Sequence, residues 1–97
     1  MSRKQPCVYL LASGRNGTLY AGVTANLLAR ISQHREGLTE GFTKKYRVHT
    51  LVWFEFHSTM AEAIAREKSI KEWRRIRKIE LIEACNPHWL DLYPSLV

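Results

Sequence analysis

The feature that most constrains the fold is a pair of short apolar segments near the N-terminus, separated by a turn signal. Residues 7–12 (CVYLLA) and 18–24 (TLYAGVT) are rich in strand-forming residues, and Asn16-Gly17 stands between them. Strand formers on both sides of an Asn-Gly pair are typical of a β-hairpin. The chain is therefore expected to open with two antiparallel strands.

The rest of the sequence predicts one further strand and three helices. Asn26 is a suitable N-cap for a helix that Gly37 ends, and Thr59 with Glu62 forms a capping box for the next helix. The predicted helices are 27–36, 60–72 and 75–84, and the third strand is 51–56. The order β-β-α-β-α-α predicts the α+β class, with a small three-stranded antiparallel sheet flanked by helices. The length predicts a single domain over residues 1–97.

The chain is strongly basic. Fifteen Lys and Arg residues against nine Asp and Glu residues give a formal net charge of +6. For one small domain this balance predicts a partner that is a polyanion, and a basic but inert surface is the alternative. No apolar run approaches the length of a membrane span, so we expect no membrane partner. Two cysteines without zinc-ligand spacing are expected to be buried thiols in a reduced cytoplasm.

Tyr9 and Tyr20 lie on opposite sides of the predicted turn. In a regular antiparallel ladder they share a face of the sheet, because their positions add to an odd number. If Asn16-Gly17 alone forms the turn, Tyr9 lies about 13 Å along its strand from the point opposite Tyr20. A longer loop makes the two direct neighbours. A shared chemical site requires the longer loop, whereas two tyrosines packed on a core fit either loop.

The first predicted helix carries Arg30 and His34 four positions apart, so their side chains lie together. They fall at the margin of an apolar side formed by Leu27, Leu28 and Ile31. A guanidinium and an imidazole at the edge of a core are well placed to meet a phosphate. A solvated helix edge is the alternative.

Glu67 falls inside the apolar stripe of the second helix, which is expected to comprise Met60, Ala63, Ile64 and Ile70. A carboxylate there is costly unless it is paired, hydrogen-bonded or bound to a metal. Lys71 lies one turn further on, so an ion pair between Glu67 and Lys71 is one explanation. The other is a ligand for Mg²⁺, which takes one or two carboxylates together with waters and substrate phosphate.

Basic residues are concentrated in the central loop and around the end of the second helix. Such a distribution attracts a nucleic-acid backbone without any sequence preference. A solvated, charged helix surface is the alternative. The basic residues of this distribution are Lys44, Lys45, Arg47, Lys68, Lys71, Arg74, Arg75, Arg77 and Lys78.

Together these residues resemble the GIY-YIG nuclease family, in its small stand-alone bacterial form. Cys7-Val8-Tyr9 stands where the family has G-I-Y, and Tyr20-Ala21-Gly22 stands where it has Y-I-G. Arg30 and His34 match the arginine and histidine of the family's first helix, and Glu67 matches its metal-binding glutamate. Cys7 and Ala21 depart from the family pattern, but neither removes a functional group.

The resemblance covers residues 7 to about 93 and implies metal-dependent hydrolysis of DNA phosphodiester bonds, in DNA repair or recombination. It implies that Tyr9 takes the proton of the attacking water and that Tyr20 orders the water or the phosphate. Arg30 would stabilise charge on the phosphate, and His34 would share in proton transfer. The implied cofactor is Mg²⁺ or Mn²⁺, held by Glu67, in a cytoplasmic enzyme that acts on DNA. Lys44, Lys45, Lys71 and Arg74 are then predicted to hold the flanking nucleic-acid backbone.

Two further readings stay open at this point. A nucleic-acid-binding module of the same fold, without turnover, shares the charge and the fold. A subunit that depends on a protein partner for its specificity is the other. The family often has a later asparagine near its site, and Asn86 is the candidate, but Asn86-Pro87 is also a common helix stop and the turn interpretation is favoured.

Overall fold

Three strands and three α-helices make up the described part of the chain, which in this computed structural model is residues 4–36 and 46–97. The elements are β1 (Cys7–Ala12), β2 (Leu19–Thr24), α1 (Leu27–Arg35), β3 (Thr50–Phe56), α2 (Met60–Glu72), α3 (Arg75–Cys85) and a 3₁₀ helix (Tyr93–Leu96). The predicted α+β class and the order β-β-α-β-α-α are confirmed, with each end within one residue of its prediction. None of the described helices has the length and apolar character needed to cross a bilayer.

β1 is the central strand of the sheet, whose order is β2-β1-β3, and it runs antiparallel to both neighbours. Every residue of β1 is buried, because helices cover both sides of the sheet. Alternate residues of β1 point to opposite faces. The face that we call the α1 face carries Cys7, Tyr9 and Leu11, which pack with α1 and the 3₁₀ helix. The face that we call the α2 face carries Val8, Leu10 and Ala12, which pack with α2 and α3.

The β1–β2 connection is longer than a two-residue hairpin turn. The Ser13 N–H donates to the Thr18 carbonyl at 3.0 Å, so the ladder continues to this pair. Residues 14–17 then form the turn, and Asn16 adopts a positive φ of 57°. Asparagine tolerates this left-handed conformation better than most residues. The turn signal is therefore correct, but the tight Asn16-Gly17 turn is not formed.

The helix starts follow the predicted capping chemistry. The Asn26 side chain accepts from the Ala29 N–H at 3.2 Å, and the Thr59 hydroxyl accepts from the Glu62 N–H at 3.2 Å. Each such cap contributes about 1 kcal/mol to helix stability. Local sequence therefore accounts for where α1 and α2 begin.

The sheet-facing side of α2 is rotated from the predicted stripe. Its buried residues are Ala63, Glu67 and Ile70. Met60 and Ile64, predicted as part of the stripe, are 36% and 37% exposed. Burial of Glu67 is confirmed, but the apolar pattern alone misplaced the centre of the contact. The reason is that α2 packs with Ile70 and Ala63 against the α2 face, which turns the Met60 side outward.

The two cysteines differ in their surroundings. Cys7 is fully buried in β1, and burial raises the pKa of its thiol to about 12. Cys85 is exposed at the end of α3, so the prediction that both thiols are buried is wrong for Cys85. The C-terminus of a helix that packs by one side leaves such a position open to solvent.

Candidate active site

The register of the hairpin brings the two phenols together on the α1 face. Tyr9 is opposite Gly22, and Tyr20 is opposite Leu11, so the tyrosines are diagonal neighbours. Their ring centroids are 6.5 Å apart. This register lies between the two considered from the sequence, because the turn has four residues rather than two. The phenols are close enough to act in one site.

Gly22 is the residue that makes room for the Tyr9 ring. A Cβ atom at Gly22 would lie 2.4 Å from both Cζ and Oη of Tyr9, well inside the contact distance of real Cβ atoms. The Tyr9 phenol therefore lies directly over the backbone of β2. This close approach gives a physical reason for the glycine in Tyr20-Ala21-Gly22. The sequence alone identified Gly22 only as the last residue of that motif.

His34 joins the phenols from α1. Its Nε2 lies 3.2 Å from the Tyr9 hydroxyl oxygen. Its ring centroid is 6.0 Å from that of Tyr9 and 5.8 Å from that of Tyr20, so the three rings form a compact triangle. The sequence predicted His34 at the margin of the apolar side of α1, whereas it is only 5% exposed. The hydrogen bond to Tyr9 offsets the cost of burying the imidazole.

Burial keeps both members of the Tyr9–His34 pair uncharged at neutral pH. Desolvation lowers the pKa of His34 to about 4, and the nearby Arg30 guanidinium acts in the same direction. Desolvation raises the pKa of Tyr9 to about 12, although Arg30 opposes the shift. The pair therefore consists of a phenol that holds its proton and an imidazole that resists gaining one.

Arg30 gives the ring triangle a permanent positive charge. The half-buried guanidinium interacts with the Tyr9 hydroxyl and with Tyr20, and these contacts raise the pKa of Arg30. Its Nη1 also donates to the Gln33 side-chain oxygen at 3.3 Å. A guanidinium held beside two phenols in this way can receive a phosphate oxygen. The structure thus brings together four of the five predicted catalytic side chains.

The fifth, Glu67, is carried by α2, on the helix side that also buries Ala63 and Ile70 in the core of the α2 face, and it is 8% exposed. Its Oε2 is 2.7 Å from Nζ of Lys71, one turn further along α2. Of the two explanations offered by the sequence, the ion pair is therefore present. Lys71 also lines a cleft of about 290 Å³ together with Tyr20, so it connects Glu67 to the hairpin.

The described residues offer little protein ligation for a metal ion. Within residues 4–36 and 46–97, no group of three or more His, Cys, Asp or Glu side chains could hold one. A closed cage of the zinc type is therefore not formed there. A lone carboxylate such as that of Glu67 fits a largely hydrated Mg²⁺ or Mn²⁺, which needs one or two protein oxygens.

The predicted nucleic-acid contacts can be placed only in part. Lys71 is half-exposed, and Arg74 is exposed at the start of α3, so both can reach a ligand in solvent. Lys44 and Lys45 lie outside the described residues. The basic surface on this side of the molecule therefore adjoins the cleft that Lys71 and Tyr20 line.

Arg75 has a role that the sequence did not indicate. Its Nη2 donates to the carbonyl oxygens of Asn16 and Gly17, each at 2.7 Å. The start of α3 is thereby tied to the turn of the hairpin that carries both phenols. From the sequence Arg75 looked like one more residue of a basic surface, because its partners lie almost sixty positions away.

The C-terminal segment holds α1 in place. The Ser32 and Tyr93 hydroxyls are 2.9 Å apart, and Arg35 forms an ion pair with Asp91. The second Asp91 oxygen accepts from the Leu51 N–H at 3.3 Å, which joins this segment to β3. These contacts fix the helix that presents Arg30 and His34. The segment that follows α3 thus supports the site.

Asn86 is buried away from the ring triangle. Its amide nitrogen donates to the carbonyl oxygens of Val52 and Leu90, at 3.1 and 2.8 Å, and its oxygen accepts from the Leu90 N–H at 3.0 Å. Val52 belongs to the core of the α2 face. Asn86 therefore stabilises the turn after α3, as the turn interpretation predicts.

Comparison with known proteins agrees with this arrangement. The model of the GIY-YIG catalytic domain matches residues 5–80. A UPF0213 protein of Staphylococcus haemolyticus is 39% identical over 69 residues, which are 71% of this chain and 84% of that protein. A UPF0213 protein of Staphylococcus aureus is 37% identical over 68 residues, 70% of this chain and 83% of its own. No solved structure gives a significant match.

The family match covers the hairpin, α1, β3, α2 and the first half of α3, and so includes every element that carries a candidate site residue. GIY-YIG proteins form a nuclease family that acts on DNA and generally uses a divalent metal ion. The motif triplets, the order of the elements and the paired phenols all agree with that match. The chain belongs to the GIY-YIG family.

Proposed function

We propose that this chain is a metal-dependent endonuclease that hydrolyses phosphodiester bonds in DNA. The observation that carries the proposal is the convergence of Tyr9, Tyr20 and His34 on one face, with Arg30 beside them. Burying polar, titratable groups costs free energy that an apolar core would not. Clusters of groups with shifted pKa values are typical of catalytic sites.

We assign different roles to the two phenols because their exposure differs. Tyr9 is 1% exposed, whereas Tyr20 is partly exposed and lines the cleft. We therefore place Tyr20 next to the attacking water and the phosphate, and Tyr9 behind it as the group that positions His34. This exchanges the roles that the family resemblance implied, because a phenol with a pKa raised to about 12 is a poor proton acceptor.

Arg30 can stabilise negative charge at two places, on the phenolate of a tyrosine and on the phosphate. A phenol accepts a proton poorly at neutral pH unless positive charge stabilises the phenolate. The guanidinium is held beside both tyrosines and can provide that charge. It can also stabilise negative charge that develops on the phosphate in the transition state. The neutral His34 is placed to accept a hydrogen bond from the Tyr9 hydroxyl, and this bond keeps the imidazole oriented.

Glu67 would hold the divalent ion, Mg²⁺ or Mn²⁺, through its carboxylate. When bound, such an ion polarises a phosphoryl oxygen and stabilises the leaving group. Lys71 and Arg74 would bind the flanking DNA backbone, and Lys44 and Lys45 remain predicted contacts of the same kind. A role in repair or recombination, a cytoplasmic location and a protein partner that adds specificity belong to this proposal as well.

The test is cleavage of nicked, branched and linear DNA in the presence of Mg²⁺ or Mn²⁺. We expect Tyr20→Phe and Glu67→Ala each to lower the cleavage rate by about 100-fold or more, the size of a lost acid–base or metal contribution. EDTA should abolish cleavage. Glu72→Ala is the matched control, because it removes an exposed carboxylate from the same helix as Glu67, and its rate should stay within about twofold.

Equal cleavage by wild type and Glu67→Ala would contradict the proposal.

One observation favours a second function, a nucleic-acid-binding module without turnover: the Tyr9–His34 pair is uncharged and Glu67 already has a counter-ion. That function requires salt-dependent DNA binding with no metal-dependent cleavage of any substrate. Anisotropy of a labelled duplex, measured beside the cleavage assay, separates the two.

A further inference from the structure

The Glu67–Lys71 pair places a charged carboxylate almost out of solvent. The Glu67 side chain is 11% exposed, while the Lys71 side chain is 53% exposed. A buried carboxylate needs a compensating cation, and removal of its partner leaves an uncompensated charge. The ammonium at 2.7 Å from Oε2 provides this compensation in the protein without metal.

The same ammonium stands where a metal ion would have to bind. Mg²⁺ binds a carboxylate oxygen at about 2.0–2.1 Å and keeps a shell of tightly held ligands. An ammonium within hydrogen-bond distance of that oxygen competes for the same lone pairs, and two neighbouring cations repel each other. A metal ion at Glu67 and Lys71 in its present position are therefore mutually exclusive or strongly opposed.

The Lys71 ammonium can occupy a second position, in the cleft beside Glu67. Its side chain lines the cleft that also contains Tyr20 and Lys78, and its flexible four-carbon stem allows the ammonium to move. The cleft is lined by two lysines, so a phosphate of bound DNA would be attracted to it. The ammonium can thus exchange a carboxylate partner for a phosphate partner without a change in the helix.

We propose that Lys71 is an exchangeable counter-ion, which neutralises Glu67 in the metal-free protein and transfers to a DNA phosphate when the divalent ion binds. This inference rests on the proposed function, since it takes Glu67 as the metal ligand. It makes metal binding and DNA binding mutually supportive, because each draws the pair apart. Lys71 then acts as a positioning residue and not as a structural ion pair alone.

The test measures binding of Mn²⁺ alone, without DNA, by the EPR signal of the free ion. Lys71→Met is compared with wild type and with Lys68→Met, which removes the same charge from an exposed position of α2. Removing a competing ammonium at contact distance should tighten Mn²⁺ binding by about tenfold or more. Removing the more distant, screened charge of Lys68 should tighten it by less than about threefold.

Thermal unfolding provides a second readout. Lys71→Met leaves Glu67 without its counter-ion, so the variant should melt below wild type in EDTA and regain more stability than wild type when Mn²⁺ is added. Lys71→Gln, which keeps a polar side chain, serves the same purpose should the Met variant fold poorly. A structural ion pair would lose stability without any gain in metal affinity.

The two proposals fail in different ways. If Glu67→Gln binds Mn²⁺ as tightly as wild type, Glu67 is not the metal ligand and the proposed metal site falls. If Glu67→Gln loses Mn²⁺ binding while Lys71→Met binds no more tightly than Lys68→Met, the exchange is overturned and the metal site stands. Tighter binding confined to the Lys71 variants supports the exchange.

Discussion

On the α1 face of β1, two titratable side chains are buried against each other, whereas the α2 face buries an apolar core with Glu67 and Asn86 at its margins. Tyr9 and His34 escape the cost of charge by remaining neutral. Glu67 keeps a partner instead, in the form of the Lys71 ammonium. Polar groups are thus buried in two ways around the same strand: Tyr9 and His34 are uncharged, and the charge of Glu67 is paired with that of Lys71.

The difference has a consequence for chemistry. A neutral, tightly packed group is a stable support and changes its protonation state only at a cost. A paired charge at the edge of a core can exchange its partner while the fold stays intact. We therefore expect the α1 face to supply fixed geometry and the α2 face to supply the exchangeable ion.

The largest expected effect comes from the closest packing on the α1 face. Gly22→Ala places a methyl group 2.4 Å from the Tyr9 ring, which is buried and has little space to move. We expect a loss of about 3 kcal/mol in the free energy of unfolding, measured by urea denaturation. Gly14→Ala is the matched control, since among residues 4–36 and 46–97 no atom beyond its chain neighbours lies within 4 Å of an added Cβ, and it should change the value by less than about 0.5 kcal/mol. Similar losses in both variants would contradict the packing described here.

The next effect tests whether the α1 face depends on a neutral His34. The pKa of His34 is lowered from 6.5 to about 4, so the unfolded chain binds more protons than the folded chain between these values. Stability is therefore complete above pH 6.5 and is lost as the pH falls toward 4, by up to about 3 kcal/mol. His34→Gln should flatten this part of the stability profile, measured by denaturation at pH 7 and pH 4.5. A profile unchanged by the substitution would show that His34 is not the group responsible.

The smallest effect concerns the hydrogen bonds by which Arg75, at the start of α3, holds the turn of the hairpin. Arg75→Met removes two hydrogen bonds to the turn and should cost about 1 kcal/mol, because both partners are exposed and can bond water instead. Arg74→Met should leave stability unchanged while it lowers DNA affinity, measured by fluorescence anisotropy at several salt concentrations. Equal stability of the two variants would mean that the Arg75 bonds contribute nothing.

Much of the fold could be predicted from local signals. The Asn26 and Thr59 caps mark the starts of two helices, and both caps form. The parity of positions 9 and 20 places the phenols on one face for any turn with an even number of residues, and the observed four-residue turn is of this kind. Burial of Glu67 follows from its place in a helical period. Each of these depends on residues a few positions apart, or on the fixed geometry of a strand or helix.

The candidate site was less accessible from the sequence. The depth of His34 depends on a hydrogen bond to Tyr9, twenty-five positions away. The hydrogen bonds from Arg75 to the turn join residues 59 and 58 positions apart. No periodic pattern reports such contacts, because a pattern records which side of an element is apolar and not what lies opposite.

The sequence by itself determined the elements, their order and the residue types that can perform phosphodiester chemistry, since propensity, capping and periodicity act over a few neighbouring residues. Only the tertiary structure decided the hairpin register, the burial that keeps Tyr9 and His34 neutral, and the burial of the Glu67 carboxylate beside Lys71. The physical reason is that desolvation and side-chain pairing depend on which distant elements pack together, and that packing is a property of the whole fold.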